Sequence, residues 1–209
     1  MCVAIVCKPG AIVPNDRLYA GWVANKDGAG FAYVKDGRVV IEKGFMTYNP
    51  FQKAYQSAAE KYSATSPFLV HMRIRTSGRT DKKNTHPFKI RGGAVIHNGI
   101  MFYPSSSGNN KDQSHSSDTK IFASKLHNIL LKEDVKAAED EILFAVGRTN
   151  KLCFLYDDGD YVILNEKAGN WKDDIWYSNY SCDVRTQYTR TSSQSSTSSN
   201  GSVTPSGSN

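Results

Sequence analysis

Met1-Cys2-Val3-Ala4-Ile5-Val6-Cys7 opens the chain with a methionine, a thiol and an unbroken apolar run. Apolar residues without polar alternation predict a strand covered on both faces, so a strand at the centre of a sheet. Cys2 stands directly behind Met1, and its small side chain favours removal of the methionine, leaving Cys2 as the mature N-terminus. A thiol with an ordinary pKa of about 8.5 and an α-amine with one of about 7.7–8.0 would then share one residue. The amine can take the thiol proton, directly or through a water, so nucleophile and base are combined as they are at an N-terminal threonine. The plainer reading is a small buried cysteine that opens a strand.

The rest of the composition narrows the classes. A chain of 209 residues suits one domain with a sizeable core. No apolar run approaches the roughly 18 residues of a membrane span, and no charged segment followed by an apolar one reads as a secretory signal. The expectation is a cytoplasmic protein without a membrane partner. The cysteines Cys2, Cys7, Cys153 and Cys182 contain no Cys-x-x-Cys pair, so no cysteine zinc site and no cofactor is expected. The formal charge of +6 draws on a dense run, Arg73, Arg75, Arg79, Lys82, Lys83, Lys89 and Arg91, broken only by Asp81. A solvated loop or the attraction of an anionic substrate explains such a run more simply than nucleic acid does.

Residues 16–24 read as a short helix capped by Asn15-Asp16. Phe31–Val34 and Val39–Ile41 read as a hairpin around Lys35-Asp36-Gly37. Gly28 and Gly30 before it are a lone Gly-x-Gly, without the further glycine or lysine of a nucleotide loop. Asn49-Pro50 opens an amphipathic helix in which Phe51, Ala54, Tyr55, Ala58, Ala59 and Tyr62 share a face. A strand is expected from Phe68 to Arg75, a polar loop over 76–91, and a strand over Ala94–Ile96. An exposed loop over 103–116 precedes a helix from Ser117 or Asp118 to about 131 and a second over about 133–143. Leu152–Tyr156 and Tyr161–Leu164 form another hairpin, and Ile175–Ser178 a last strand. The Ser/Thr-rich stretch 189–209 is expected to be a disordered tail behind a domain spanning 2–188. Hairpins dominate, so mainly antiparallel sheets covered by helices fit better than a doubly wound parallel fold.

Four further motifs follow Cys2 in order: His71-Met72-Arg73-Ile74-Arg75-Thr76-Ser77-Gly78, Asn84-Thr85-His86-Pro87, His97-Asn98-Gly99, and Ser117-Asp118-Thr119. Together they resemble the class II glutamine amidotransferases of the N-terminal nucleophile hydrolase superfamily, whose pattern is N-terminal Cys, His-x-Arg-x-x-Thr-x-Gly, Asn-x-His-Pro, His-Asn-Gly and Ser/Thr-Asp-Thr-Glu. The resemblance covers residues 2–120 and extends loosely to about 180. It implies an α+β fold, a four-layer αββα sandwich of two mainly antiparallel sheets, and cleavage of the glutamine side-chain amide through a thioester on Cys2. It also implies an oxyanion hole at Asn98 and Gly99, a grip on the substrate carboxylate by Arg73 and on its ammonium by Asp118, and a lining from Thr76, Ser77, Gly78 and His86. Physical chemistry runs alongside: an amide side chain and an unhindered N–H can converge on an oxyanion, and a guanidinium matches a carboxylate bidentately. Taken singly, Asn98-Gly99 reads as a turn, Arg73 as a surface charge and Asp118 as a helix cap. His71, His86 and His97 lack the spacing of a metal site.

Two positions depart from the pattern: Arg75 is unusual within the arginine motif, and Lys120 stands where the family commonly has Glu. No stretch after residue 180 reads as a synthase domain. The expectation is therefore a small free-standing version, similar to ones in bacteria and phages, acting in the cytoplasm (the host's, if a phage encodes it). Ammonia then goes to water or to a separate acceptor or synthase protein. The alternatives are a γ-glutamyl conjugate hydrolase and a non-catalytic binding protein, of nucleic acid for instance, on the same fold.

Overall fold

The computed structural model describes residues 1–76, 78–101, 118–126 and 132–184, with the backbone alone at 118, 124–126 and 132–134. Ser77, the expected loop over 103–116, the end of the helix beyond 126 and the tail over 189–209 lie outside the described residues.

The chain is α+β with two antiparallel sheets. The apolar opening run forms β1 (Val3–Cys7), buried throughout and central in a six-stranded sheet. Its neighbours are β4 (Phe68–Met72) and β10 (Ile175–Tyr177). Beyond β4 lie β2 (Ala29–Lys35) and β3 (Arg38–Phe45), and beyond β10 lies β9 (Asn170–Lys172). The second sheet orders β5 (Phe88–Ile90), β6 (Gly93–Asn98), β7 (Lys151–Tyr156) and β8 (Tyr161–Leu164).

Three apolar clusters show how these elements stack. Val3, Ile5 and Cys7 pack with Leu18 and Trp22 of α1 (Asn15–Ala24) and with Phe51 and Tyr55 of α2 (Tyr48–Tyr62). Ala4 and Val6, on the other face of the same strand, pack with Ala94, Ile96, Cys153 and Leu155 of the second sheet. The far face of that sheet meets Phe122 of α3 (Asp118–Leu126), Val135 of α4 (Lys132–Ala137) and Ile142 of α5 (Glu139–Val146). Side chains alternate faces along a strand, so β1 must be apolar at every position to serve two layers.

Several elements differ from the sequence expectation. The first hairpin is longer, because Asp36 and Gly37 alone turn it, both at positive φ (51° and 69°), the geometry of a two-residue hairpin turn. Gly30, expected before the hairpin, lies inside β2, where a side chain would collide with the His86 carbonyl. Asn15 is the first residue of α1 instead of its cap, and its side-chain oxygen accepts from Gln52 and Gln56 of α2. β4 ends at Met72, although Arg73 still exchanges backbone hydrogen bonds with Asp27 and Gly28.

The polar loop over 76–91 contains a short 3-10 turn at Lys82–Asn84 and strand β5, whose Phe88 and Ile90 point inward around an exposed Lys89. The expected single helix over 133–143 is two, α4 and α5, parted at Ala138. Glu139, Asp140 and Glu141 favour a fresh helix N-terminus there. Strand β9 comes from Asp173-Asp174, another pair at positive φ (51° and 58°) that turns the chain between β9 and β10.

Trp176 of β10 is completely buried between the sheets, and its indole N–H donates to the Glu166 carbonyl at 3.0 Å. Trp176→Ala should therefore lower unfolding free energy by about 3–5 kcal/mol, read from urea unfolding. A loss below about 1 kcal/mol would mean that this layer does not hold the sheets together.

Candidate active site

Cys2 precedes β1, and the sheet register sets it beside the residues after β4: Val3 faces Met72, and Cys2 Sγ lies 3.2 Å from the Ile74 carbonyl and 3.4 Å from the Ile74 N–H. The residue is 9% exposed, whereas Met1 is 68% exposed. Burial raises the thiol pKa, and the Ile74 backbone contact and the Arg73 charge partly offset it. In the chain that carries Met1 the sulfur is thus a protonated thiol at neutral pH.

Arg73 is buried at the end of β4. Its Nη1 donates to the Arg79 carbonyl at 2.9 Å, which folds the following loop back over the guanidinium. Thr76 is exposed on that loop, and Gly78 turns it at φ 67°. Arg75, Arg79, Lys82 and Lys83 are exposed around it. Asp81 caps the 3-10 turn by accepting from Asn84 N–H, so it is occupied locally.

Asn98 closes β6 in the facing sheet and is 1% exposed. Gly99 follows at φ 150°, where any side chain would collide with the Asn150 amide oxygen. Asn150 organises this strand end. Its Oδ1 accepts from His97 Nε2 at 2.7 Å, and its Nδ2 donates to the carbonyls of Val146, Gly147 and Ile100. Those carbonyls fix which end of the Asn150 amide is nitrogen, so Nε2 carries the His97 proton, and the Thr119 hydroxyl, 2.9 Å away, donates to Nδ1. Through Thr119, the start of α3 at Asp118 is tied to β6, although the Asp118 side chain is not among those described.

The nucleophile candidate and the oxyanion candidate are joined by two residues after β10. Ser178 Oγ accepts the Ala4 N–H at 2.9 Å and lies 2.7 Å from the Asn98 amide. Asn179 Nδ2 donates to the Cys2 carbonyl at 2.8 Å. Sequence reasoning singled out neither as a site residue, and nor did it find Asn150. A serine and an asparagine ending a short strand carry no signal of contacts 80 and 177 residues away.

His86 lies underneath this assembly. It is 3% exposed, its ring 3.9 Å from that of His71 and 4.7 Å from Phe88. His71 Nε2 donates to the His97 carbonyl at 3.0 Å, which links β4 to β6. Burial pushes the His71 pKa down to about 3 and that of His86 well below its ordinary value, so both rings are neutral. Among the described residues no group of three or more His, Cys, Asp or Glu is placed to hold a metal.

The structure thus brings Cys2, Arg73, Asn98 and Gly99 to neighbouring strand ends and buries His86 behind them. Thr76 and Gly78 are on the loop after Arg73, and Ser77 is outside the described residues. No protein-family model matches the sequence, and no curated protein matches it. Among the described residues no helix is long and apolar enough to cross a membrane.

The buried histidines make stability depend on pH. Unfolded histidine titrates near pH 6.5, at about 1.4 kcal/mol per unit of pKa shift. Between about pH 6.5 and pH 3 the unfolded chain binds a proton on His71 that the native chain does not, so stability is full above this window and falls on acidification through it. The unfolding free energy from urea titrations should drop from pH 7 to pH 5, and His71→Asn should flatten that drop by up to about 1.4 kcal/mol per pH unit. Equal slopes in the two proteins would remove His71 as the source.

Proposed function

We propose that this chain is a class II glutamine amidotransferase-type amidohydrolase with the four-layer N-terminal nucleophile architecture. It cleaves the side-chain amide of glutamine, or of a γ-glutamyl amide, through a thioester on Cys2. The observation that carries this reading is the join between Cys2 and Asn98: the residue just before central strand β1 and the last residue of a strand in the facing sheet are held by consecutive residues, Ser178 and Asn179.

In this mechanism, removal of the exposed Met1 frees the Cys2 α-amine. The amine takes the thiol proton, and the thiolate attacks the amide carbon. The carbonyl oxygen becomes an oxyanion that the Asn98 side-chain amide and the Gly99 N–H stabilise. The tetrahedral species collapses by breaking the C–N bond. The ammonium of Cys2 returns its proton to the nitrogen, which leaves as ammonia. The γ-glutamyl thioester is then hydrolysed by a water whose proton the same amine accepts, giving glutamate and free Cys2. Arg73 pairs with the substrate carboxylate and Asp118 with its ammonium. His86, neutral and buried, supports the loop that bears Arg73 rather than transferring protons. Ammonia passes to water or to a separate acceptor protein.

The intact mass of active protein should lack one methionine, and Cys2→Ala should abolish ammonia release while leaving the fold intact. Cys2→Ser should keep at most a trace, because a hydroxyl is far less ionised than a thiol. A diazoketone analogue of glutamine should label Cys2. Processed protein that neither turns over glutamine or γ-glutamyl amides nor takes the label would overturn the reading. If the same protein bound DNA tightly with a steep salt dependence, weakened by charge reversal at the exposed Lys82 and Lys83, the nucleic-acid alternative would take its place.

The assigned roles separate kinetically. Asn98→Ala should lower kcat about 100–1000-fold with little change in KM, since the oxyanion exists only near the transition state. Arg73→Lys keeps the charge but loses the planar fork, and should cost about 1.5–3 kcal/mol in kcat/KM. A loss confined to KM in Asn98→Ala would remove Asn98 from the oxyanion hole.

A further inference from the structure

We propose that Ser178 is the positioning residue of the oxyanion hole: its hydroxyl donates to the Asn98 carbonyl oxygen and so turns the Asn98 NH2 toward the reacting centre. The inference rests on the amidohydrolase reading above and adds to it a residue outside the motifs of the first 120 positions.

Ser178 is fixed to β1 from both sides. Its backbone N–H donates to the Ala4 carbonyl at 2.9 Å, and its Oγ accepts the Ala4 N–H at 2.9 Å. The hydroxyl therefore cannot drift from the strand that begins at the nucleophile. Its one proton remains to be placed, and Asn98 lies 2.7 Å away.

With the amide nitrogen of Asn98 toward Ser178, two donors converge on Oγ and the hydroxyl proton has no acceptor among the described residues. Asn98 Oδ1 is then buried without a hydrogen-bond partner among the described residues. An orphaned buried acceptor costs about 1–3 kcal/mol. Turning the amide by 180° removes both faults, and amide nitrogen and oxygen are interchangeable in shape. Ser178 O–H then donates to Oδ1, and the orphan position holds an NH2 whose missing partner is an acceptor. An oxyanion is such an acceptor. The chain Ala4 N–H to Ser178 O–H to Asn98 amide polarises in one direction, toward the donor end.

The neighbouring residue completes the device. Asn179 Nδ2 donates to the Cys2 carbonyl, and its Oδ1 accepts from the Ser181 N–H, so its amide orientation is pinned. Consecutive side chains thus hold the oxyanion donor and the nucleophile's own residue.

The test uses full-length processed protein. Ser178→Ala should lower kcat for glutamine about 10–100-fold with KM within about threefold. Affinity for glutamate γ-semialdehyde, whose aldehyde forms a tetrahedral hemithioacetal on the Cys2 sulfur, should fall by a similar factor, while affinity for L-glutamate stays the same. Ser178→Thr, which keeps the hydroxyl, should recover most of the loss, and Ser178→Cys, a weaker donor, should fall between; these two carry the test if the alanine variant does not fold. In the double variant with Asn98→Ala, removal of Ser178 should add no further loss, because it acts through Asn98. Unchanged kcat in Ser178→Ala, an additive loss in the double variant, or an equal loss of glutamate binding would overturn the positioning role while leaving the amidohydrolase reading intact. Wild-type protein that neither turns over glutamine nor binds the aldehyde would overturn both.

Discussion

Polar groups at the ends of two sheets that pack face to face have little water to bind, so most must find their partners inside the protein. The apolar layer between the sheets, with Ala4, Ala32 and Ala94 among its members, lets β1 and β6 approach closely. The consequence is that Asn98, Ser178 and the Ala4 amide must satisfy one another. The remainder of the site depends on this constraint. Without Ser178 on β1 nothing among the described contacts would hold the Asn98 side chain to the strand that carries Cys2.

The same constraint explains the second polar group, around β6. Asn150 serves four partners with one amide, and by filling the space beside Gly99 it makes glycine necessary at that position. His97 spends one ring nitrogen on Asn150 and the other on Thr119, which leaves neither for a metal or a substrate. His71 joins the sheets through the His97 carbonyl, and the ring of His86, whose two nitrogens are buried without a hydrogen-bond partner among the described residues, tilts against that of His71.

The electrostatics follow from burial. Neutral His71 and His86 leave Arg73 and the N-terminal ammonium as charges acting on the thiol, with Arg75, Arg79, Lys82 and Lys83 exposed to solvent. A buried cation next to a buried thiol favours the thiolate, while desolvation opposes it, and desolvation is the larger effect in the unprocessed chain. A base on the same residue as the sulfur, as the proposed maturation supplies, acts where burial alone keeps the thiol protonated.

Local signals were enough for much of this. The apolar run of β1 announced a strand covered on both faces, Asp36-Gly37 announced its hairpin, and the spacing from Phe51 to Tyr62 announced α2, because each depends on side-chain periodicity or on the backbone of two residues. The position behind Met1 brought Cys2 under consideration, and motif order brought Arg73, Asn98, Gly99 and Asp118. Short or locally ambiguous elements escaped: β5 is three residues inside a charged loop, β9 hangs on an Asp-Asp turn, and the break between α4 and α5 falls at an alanine. The partners Ser178, Asn179 and Asn150 were illegible for a different reason. Their importance lies in hydrogen bonds spanning 50 to 177 residues, and only the folded chain decides which buried polar groups face each other.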